Sequence, residues 1–340
     1  MPRILIRTEI GGSYGMGHAV RCKALAHALA ARGAEVGFCT NTPALAAFVT
    51  PFSVVQSWQP HMSTKICAIY VIDTTALVEC DARWFARGIR VVRIDDPHAT
   101  PETCDLLIAP GAHWAPETIG RLRSTFGEWF VHGWDYVMLG EEITKSVSVP
   151  YDQRSQGSVV FCAGGSDPEH ALQTMFDWTA EQRFDDRPQF LLGAYSQTES
   201  GRAGLSLGLV MRTTHRANFP FIQPFTSEAL RNAALVVTLF GQVVYECLAM
   251  RTPVLTFGRT REDAEAIHRL RDAGVNPVPC DYPPYWHEMT QARFQVLLEA
   301  HMDKDVRAGS HAASAGLIDG HGIDRVANAI GDGLPLIRER

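Results

Sequence analysis

Residues 3–33, RILIRTEIGGSYGMGHAVRCKALAHALAARG, decide the fold class. They begin with a strand-length apolar run from Arg3 to Arg7 and continue with a loop over 11–17 that holds four glycines. A helical pattern follows from His18 to Arg32 and stops at Gly33, a residue that commonly ends helices. A strand, a Gly-rich turn and a helix in this order predict the first βα unit of a parallel sheet.

The same alternation runs through the rest of the chain. Further strand-length apolar runs are separated by helical patterns and lie at 35–39, 65–72, 89–94 and 105–109, and then at 158–162, 189–192, 209–212, 235–239 and 253–257. Strands that are apolar on both faces require helices above and below the sheet. The pattern therefore predicts an α/β protein with two Rossmann-like, doubly wound parallel-sheet domains that face each other across a cleft.

Length supports two domains, because 340 residues is about twice the usual ~150 residues of one domain. The polar stretch 145–157 is the best linker. We therefore predict an N-terminal domain over 1–145, a linker over 146–156 and a C-terminal domain over 157–340. The sequence does not assign the small-residue run from Ala313 to either domain.

Composition limits the kinds of molecule that the protein is expected to bind and the compartment where it is expected to work. The net charge of −6 argues against a sequence-independent grip on nucleic acid or on an acidic membrane. Eight cysteines with no Cys-x-x-Cys pair indicate free thiols in a reducing cytoplasm, and the sequence shows no signal-peptide core or spanning segment. The 13 histidines show no zinc-binding spacing. We expect a cytoplasmic protein with a small-molecule substrate, no metal and no cofactor.

Ligands of open α/β sheets bind beyond the carboxyl ends of the strands, where loops lead into helices. The Gly-rich loop over 11–17 places His18 at the mouth of its helix, and it matches neither the dinucleotide fingerprint nor a Walker loop. One interpretation is a flexible turn that happens to end in histidine. The other is that His18 is a general base.

Two loops of the second half have the same form. The turn Gly164-Gly165-Ser166-Asp167-Pro168 can cradle an anion on backbone N–H groups, with Asp167 as a helix cap rather than a ligand. The turn Phe240-Gly241-Gln242 opens a helix that carries Glu246. Glu246 could accept hydrogen bonds from the two hydroxyls of a ribose, or it could be an ordinary solvated surface residue.

Three acidic groups also end strands or begin helices. Asp95-Asp96-Pro97-His98 follows a buried strand and offers either a general acid–base pair or a simple turn. Asp73 could face a substrate or bond to nearby loop N–H groups. Glu262 lies at a helix start, where an acidic residue complements the helix dipole for structural reasons alone.

Five short motifs, in this order, resemble one enzyme family. They are Gly15 to His18 with Arg21 and Cys22, Ile94-Asp95-Asp96, Cys104 to Leu107, Gly133 with Tyr136 and Leu139, and Gly164 to Pro168. They are similar to the UDP-2,4-diacetamido-2,4,6-trideoxy-β-L-altropyranose hydrolases of pseudaminic acid biosynthesis, over most of the chain to about Gly274. That family is related in fold to the N-acetylglucosaminyltransferase that acts on lipid I, whose ribose-binding glutamate is matched here by Glu246. Both have the twin-domain GT-B arrangement.

The resemblance implies a UDP-sugar bound between the domains, with His18 activating a water that attacks and inverts the anomeric carbon while UDP departs. Beside His18, we expect Asp96 to be a second catalytic residue, from its position after a buried strand. We expect the substrate-binding residues to be Gly15, Gly17, Arg21, Asp73 and Tyr136 in the N-terminal half, and Gly164, Gly165, Ser166, Gly241, Gln242, Glu246 and Glu262 in the C-terminal half.

The chain also departs from the family pattern where sugar and phosphate would be held. Thr74 and Thr75 replace a His-Tyr pair, Glu262-Asp263 replaces an Asn-Gln pair, Gly140 replaces an arginine, and Phe240-Gly241-Gln242 replaces a turn of small residues. A nucleotide sugar therefore stays the expected class of substrate, whereas the identity of the sugar and hydrolysis as the reaction are left open.

Three functions therefore stay open: a sugar-nucleotide hydrolase, a GT-B glycosyltransferase with the same donor site, and a non-catalytic sugar-nucleotide-binding protein. A transferase needs a groove for its acceptor. The aromatic stretches Tyr282 to Trp286 and Trp129 to Tyr136 could line one, or could be plain core.

Overall fold

A computed structural model describes residues 3–11, 14–56, 68–74, 89–111, 113–145, 149–154, 156–167, 170–180, 182–193, 221–272, 275 and 285–331. The chain divides into two compact units. The first comprises Met1–Tyr14, His18–Glu141 and Asp319–Arg340, and the second comprises Gly15–Gly17 and Glu142–Ile318. The predicted strand at 209–212 lies outside the described residues. Among the residues that are described, no helix has the length and apolar character needed to cross a membrane.

The first unit is built on a parallel sheet. Its strands are β1 (Arg3–Arg7), β2 (Glu35–Thr40), β3 (Ser53–Gln56), β4 (Ile69–Ile72), β5 (Arg90–Ile94), β6 (Leu106–Pro110) and β7 (Phe130–Gly133). They follow the order β3-β2-β1-β4-β5-β6-β7, and every neighbouring pair is parallel. The order reverses between β1 and β4, which is the switch point where open α/β sheets bind ligands.

Helices of the first unit follow the strand ends that the sequence predicts. Among them are α1 (Gly17–Ala31), whose first residue belongs to the second unit, α2 (Leu45–Phe48) and α3 (Pro116–Phe126), and 3-10 turns cover Gly127–Trp129 and Trp134–Tyr136. One core cluster joins β4, β5 and β6 to α3, with Tyr70, Val91 and Leu107 each at most 1% exposed. This apolar packing holds the carboxyl ends of the strands in fixed positions.

The second unit repeats the architecture with a smaller parallel sheet. Its strands are β8 (Val159–Cys162), β9 (Gln189–Leu192), β10 (Phe221–Pro224), β11 (Leu235–Leu239) and β12 (Val254–Phe257), in the order β10-β9-β8-β11-β12. All four strand pairs are parallel. The order reverses between β8 and β11, so this sheet too has a switch point. The prediction of two Rossmann-like parallel-sheet domains is confirmed.

Helices of the second unit surround this sheet. They are α4 (Glu141–Thr144), whose first residue belongs to the first unit, α5 (Tyr151–Arg154), α6 (Ala171–Thr179), α7 (Ser227–Asn232), α8 (Gln242–Ala249), α9 (Arg261–Asp272), α10 (Gln291–Met302) and α11 (Lys304–Ala313), with a 3-10 turn at Trp286–Glu288. Thr226 caps α7 and Thr290 caps α10 through their side-chain oxygens.

The predicted linker over 146–156 contains a part of the second unit. Helix α5 lies within it, and the side chain of Arg154 is 1% exposed. The Arg154 guanidinium donates to Thr252 Oγ1 at 2.6 Å and to the carbonyl oxygen of Met250 at 3.0 Å. This stretch therefore belongs to the second unit, whose long segment begins at Glu142, and its polar composition includes a buried anchor.

The last helix, α12 (Gly322–Gly331), belongs to the first unit, which differs from the predicted bound of 157–340 for the C-terminal domain. Arg32 donates to Asp324 Oδ1 at 2.7 Å and to Asn328 Oδ1 at 3.2 Å. The guanidinium of Arg325 donates to the carbonyl oxygen of Asp135 at 3.1 Å. These contacts join α12 to Arg32, just after α1, and to Asp135 in the 3-10 turn.

We expect Gly322→Ala to lower the free energy of unfolding by about 2 kcal/mol, because a Cβ at Gly322 would overlap the carbonyl oxygen of Val137. Gly331→Ala in the same helix is the matched control, since nothing lies within 4 Å of its added Cβ. Urea unfolding of both variants measures the effect. Equal stability of the two variants would contradict the close packing of α12.

Candidate active site

Four strand ends of the first unit bring a cluster of charged side chains together. Asp73 follows β4, Asp95 follows β5, and His113 lies three residues after β6. His18 and Arg21 are in the first turns of α1, which follows β1. All of these positions lie on the carboxyl edge of one parallel sheet, where ligand sites of open α/β folds form.

Asp73 is the centre of this cluster and its side chain is fully buried. Its Oδ1 accepts hydrogen bonds from His18 Nδ1 at 2.6 Å and from Arg21 Nη2 at 2.6 Å. Its Oδ2 accepts from Arg21 Nε at 2.7 Å and from Cys22 Sγ at 3.3 Å. Burial by itself raises the pKa of Asp73, but the charge of Arg21 and the hydrogen bonds from Arg21 and His18 outweigh it and lower the pKa to about 2. Asp73 is therefore an ionised carboxylate at neutral pH.

This geometry fixes the tautomer of His18. An ionised carboxylate can only accept, so His18 Nδ1 carries the hydrogen that Asp73 receives. Arg21 Nη2 lies 3.1 Å from the same Nδ1 because both atoms donate to Asp73 Oδ1. Nε2 of the neutral ring then keeps its lone pair, and the side chain is 22% exposed. The arrangement can accept a proton from a bound hydroxyl group.

Asp95 is a second carboxylate on the other side of Arg21. Its Oδ2 accepts from Arg21 Nη1 and Nη2, both at 3.3 Å. Its Oδ1 accepts from His113 Nε2 at 2.8 Å and from Trp114 Nε1 at 3.1 Å. Burial raises the pKa of Asp95, but the charges of His113 and Arg21 and the hydrogen bond from His113 lower it well below its usual range. Sequence reasoning missed His113 and Trp114, whose only signal is their position just after β6.

Asp96, the residue predicted to be catalytic, does not join this cluster. Its Oδ2 pairs with Arg93 Nη1 at 2.5 Å, and its Oδ1 accepts from the backbone N–H of His98 at 2.9 Å. Within the described part of the chain it makes no hydrogen bond to His18, Asp73 or Arg21. The structure supports the competing interpretation of a turn, and Asp95, which has φ +62°, is the residue that reaches Arg21.

In the second unit, the loop after β8 has a backbone shape that suits close approach to a ligand. Gly164 has φ +82° and Asp167 has φ +43°. The carboxylate of Asp167 accepts from the backbone N–H groups of Ala171 at 2.7 Å and Leu172 at 3.1 Å, so it serves the start of α6, as the capping interpretation expects. Gly165 and Ser166 lie between these residues, while Pro168 lies outside the described residues.

Glu246 lies in α8, one turn after Gly241 and Gln242, and its side chain is buried rather than solvated. Its Oε2 has no hydrogen-bond partner among the described residues. Burial, with a smaller effect of the Glu142 charge, raises the pKa of Glu246 to about 7. A buried carboxylate oxygen without a partner is costly, so this oxygen is suited to accept hydrogen bonds from a ligand. The loops before α6 and α8 follow the neighbouring strands β8 and β11.

The remaining predicted residues are more dispersed. Gly15 has φ +69°, and Gly17 is the first residue of α1. Tyr136 ends a 3-10 turn, and the exposed Glu262 lies in the first turn of α9, where bonds to its own backbone N–H and to Thr260 lower its pKa. Within the described ranges, neither makes a hydrogen bond to His18, Asp73 or Glu246. In the part of the chain that is described, no group of three His, Cys, Asp or Glu residues could hold a metal ion.

Two tryptophans of the aromatic stretches, Trp286 and Trp129, pack with core clusters. Trp286 is 7% exposed and packs with Phe257 and Phe294 in the core, which favours the core interpretation. Residues 282–284 lie outside the described ranges. Trp129 packs against the core of the first unit.

The raised pKa of Glu246 predicts a pH-dependent stability difference between the wild type and Glu246→Gln. The folded state binds this proton more tightly than the unfolded state, so its stabilisation is complete below pH ~4.5 and is lost as pH rises through about 7. Relative to Glu246→Gln, the wild type should lose about 3 kcal/mol of unfolding free energy over this window. Urea unfolding at several pH values measures the difference, and a constant difference would contradict the burial of this carboxyl.

Comparisons with known proteins establish the fold. The sequence matches no protein-family model and no curated protein. Among solved structures, MurG of Acinetobacter baumannii aligns with a TM-score of 0.65 and 11% identity, covering 97% of this chain and 99% of MurG. MnaA of S. aureus in complex with UDP aligns with a TM-score of 0.63 and 15% identity, covering 100% and 99%. Anabaena HepE in complex with UDP-glucose aligns with a TM-score of 0.60 and 14% identity, covering 96% and 98%. The chain therefore has the GT-B fold.

Proposed function

We propose that this protein is an enzyme that acts on a nucleotide sugar and uses His18 as its general base. His18 Nε2 takes the proton of a hydroxyl group while the oxygen of that group attacks the anomeric carbon, and the nucleoside diphosphate departs. The observation that carries the proposal is the 2.6 Å hydrogen bond from His18 Nδ1 to the fully buried carboxylate of Asp73. It orients the ring and leaves the second nitrogen to act.

The charges of the cluster suit this reaction. When His18 accepts a proton, the positive charge forms beside the ionised Asp73, which stabilises it. Arg21 keeps Asp73 ionised and in place through two hydrogen bonds from a rigid guanidinium. A base held in this way contributes typically a hundredfold or more to a rate.

The second unit supplies the features expected of a nucleotide site. The Gly164–Ser166 loop precedes α6 and the Gly241 turn precedes α8. Backbone N–H groups at such loops bind phosphate oxygens. The unpartnered Oε2 of Glu246 can accept hydrogen bonds from ribose hydroxyls. The complexes of HepE with UDP-glucose and of MnaA with UDP support a uridine nucleotide as the ligand class.

Transfer of the sugar to an acceptor hydroxyl is the leading form of this proposal. Several solved structures of the same fold are glycosyltransferases by name, including those of kitacinnamycin and spinosyn. Hydrolysis is the second form, with water in place of the acceptor. It is favoured by the resemblance of Gly15 to His18 and Gly164 to Pro168 to the hydrolases of pseudaminic acid biosynthesis.

A panel of nucleotide sugars separates these forms. The protein is incubated with UDP-, GDP-, TDP- and CMP-sugars, with and without a mixture of hydroxyl acceptors, and products are followed by mass spectrometry. Transfer predicts release of nucleotide only when an acceptor is present, whereas hydrolysis predicts free sugar from the donor alone. Binding without turnover under both conditions would contradict the proposal and leave a sugar-nucleotide-binding protein.

We expect His18→Asn to reduce turnover by at least about a hundredfold while the protein stays folded. The asparagine side chain retains a donor near the position of Nδ1, so Asp73 keeps its hydrogen bond, but the atom equivalent to Nε2 is lost. Steady-state kinetics and thermal melting measure the two properties separately. His98→Asn is the matched control, because His98 is exposed and only its backbone N–H bonds to Asp96. Near-normal turnover of folded His18→Asn would remove His18 from the mechanism.

We expect Glu246→Gln to weaken nucleotide binding about tenfold and to leave the saturated rate nearly unchanged. An interaction with the nucleotide is the same in the ground state and the transition state, so it changes affinity rather than chemistry. Calorimetric titration with UDP gives the affinity, and kcat gives the rate. A large fall in kcat with unchanged affinity would contradict this role.

A further inference from the structure

The carboxylate of Asp95 lies in the same cluster as the proposed base but has no role in the mechanism above. We propose that Asp95 is a positioning residue that acts on His18 through Arg21, and that it sets both the orientation and the basicity of the imidazole. This inference rests on the proposed function. It concerns a residue that does not touch the reacting atoms.

The first support is the geometry of Arg21. Its guanidinium is shared between two carboxylates: Nε and Nη2 donate to Asp73 at 2.7 and 2.6 Å, and Nη1 and Nη2 approach Asp95 Oδ2 at 3.3 Å. A planar fork held from two sides has one orientation. Because Arg21 shares Asp73 Oδ1 with His18 Nδ1, a change in the guanidinium is transmitted directly to the imidazole.

The second support is that Asp95 itself is held firmly. His113 and Trp114 donate to its Oδ1, and the Trp114 ring stacks on Phe130 with an interplanar angle of 14°. Its backbone has φ +62°, a left-handed conformation that costs energy for any residue with a side chain, although Asp and Asn bear it best. This conformation belongs to the residue that reaches Arg21, while the next residue, Asp96, turns toward Arg93.

The third support is charge. Asp95 is faced by Arg21 and His18 from α1 and by His113 and Trp114 from the loop after β6. Asp73, at the end of β4, is faced by His18, Arg21 and Cys22 from α1. The negative charge of Asp95 interacts with the charge of His18 and with that of Arg21. A carboxylate at this place therefore favours the positive charge that His18 takes up during the reaction.

Asp95→Asn tests the proposal selectively. Asparagine tolerates the same backbone conformation and keeps an oxygen for His113 and Trp114, but it places an amide NH₂ where Arg21 now meets Oδ2. Because one negative charge is lost, we expect kcat/KM to fall about tenfold and the acid limb of its pH profile to move to lower pH by about half to one unit.

Asp105→Asn is the control for loss of a structural carboxylate, because Asp105 accepts only from the backbone N–H of Val91 among the described residues. We expect no movement of the limb in that variant.

A second measurement does not depend on turnover. NMR titration of the His18 ring in the free protein should show its midpoint at lower pH in Asp95→Asn than in the wild type, and unchanged in Asp105→Asn. Equal midpoints together with an unmoved kinetic limb would overturn the proposal. Movement of the limb in Asp96→Asn instead of Asp95→Asn would overturn it too.

The outcomes also separate this inference from the proposed function. If folded His18→Asn keeps normal turnover, the proposed base is wrong whatever Asp95 does. If His18→Asn is inactive and Asp95→Asn leaves both the pH profile and the NMR midpoint unchanged, the base stands and only the inference about Asp95 fails.

Discussion

The candidate active site depends on one buried contact, the carboxylate of Asp73 between the imidazole of His18 and the guanidinium of Arg21. A lone buried carboxylate would be neutralised by protonation, because desolvation penalises its charge. Two donors at 2.6 Å on one oxygen and a rigid fork across both oxygens keep it ionised instead. The ionised state in turn selects the tautomer of His18, so the chemistry of the ring follows from the electrostatics of the aspartate.

Burying this cluster costs desolvation free energy and side-chain entropy, and the fold shows how the entropic cost is limited. Asp73 and Asp95 follow the carboxyl ends of β4 and β5, strands whose positions Val71 and Val92 are fully buried. Packed strands fix the backbone at these ends, so little conformational entropy remains to be lost when the side chains order. Buried ion networks of this kind add little net stability, which favours a functional reason for this one.

The second unit shows the opposite treatment of a buried acid. Glu246 in α8 is buried, its Oε2 has no partner among the residues that the structure describes, and its pKa is raised to about 7, whereas Asp73 is surrounded by donors and stays ionised. Environment alone makes this difference between two carboxyl groups. In our proposal the unfilled acceptor of Glu246 receives hydroxyl donors of the ligand, whereas the filled acceptors of Asp73 hold His18 and Arg21 in place.

The two parallel sheets, the Gly-rich turns and the position of His18 at a helix start could be predicted from the sequence, because these features follow from local periodicity and from residues close together in the chain. Four features emerge only when the chain is folded: Asp95 rather than Asp96 reaches Arg21, His113 joins it, Glu246 is buried, and α12 packs with the first unit. Adjacent residues at a strand end point in different directions, and one backbone angle selects between them. Contacts such as His18 with Asp73, 55 residues apart, depend on how strands are ordered in the sheet, which local pattern does not encode.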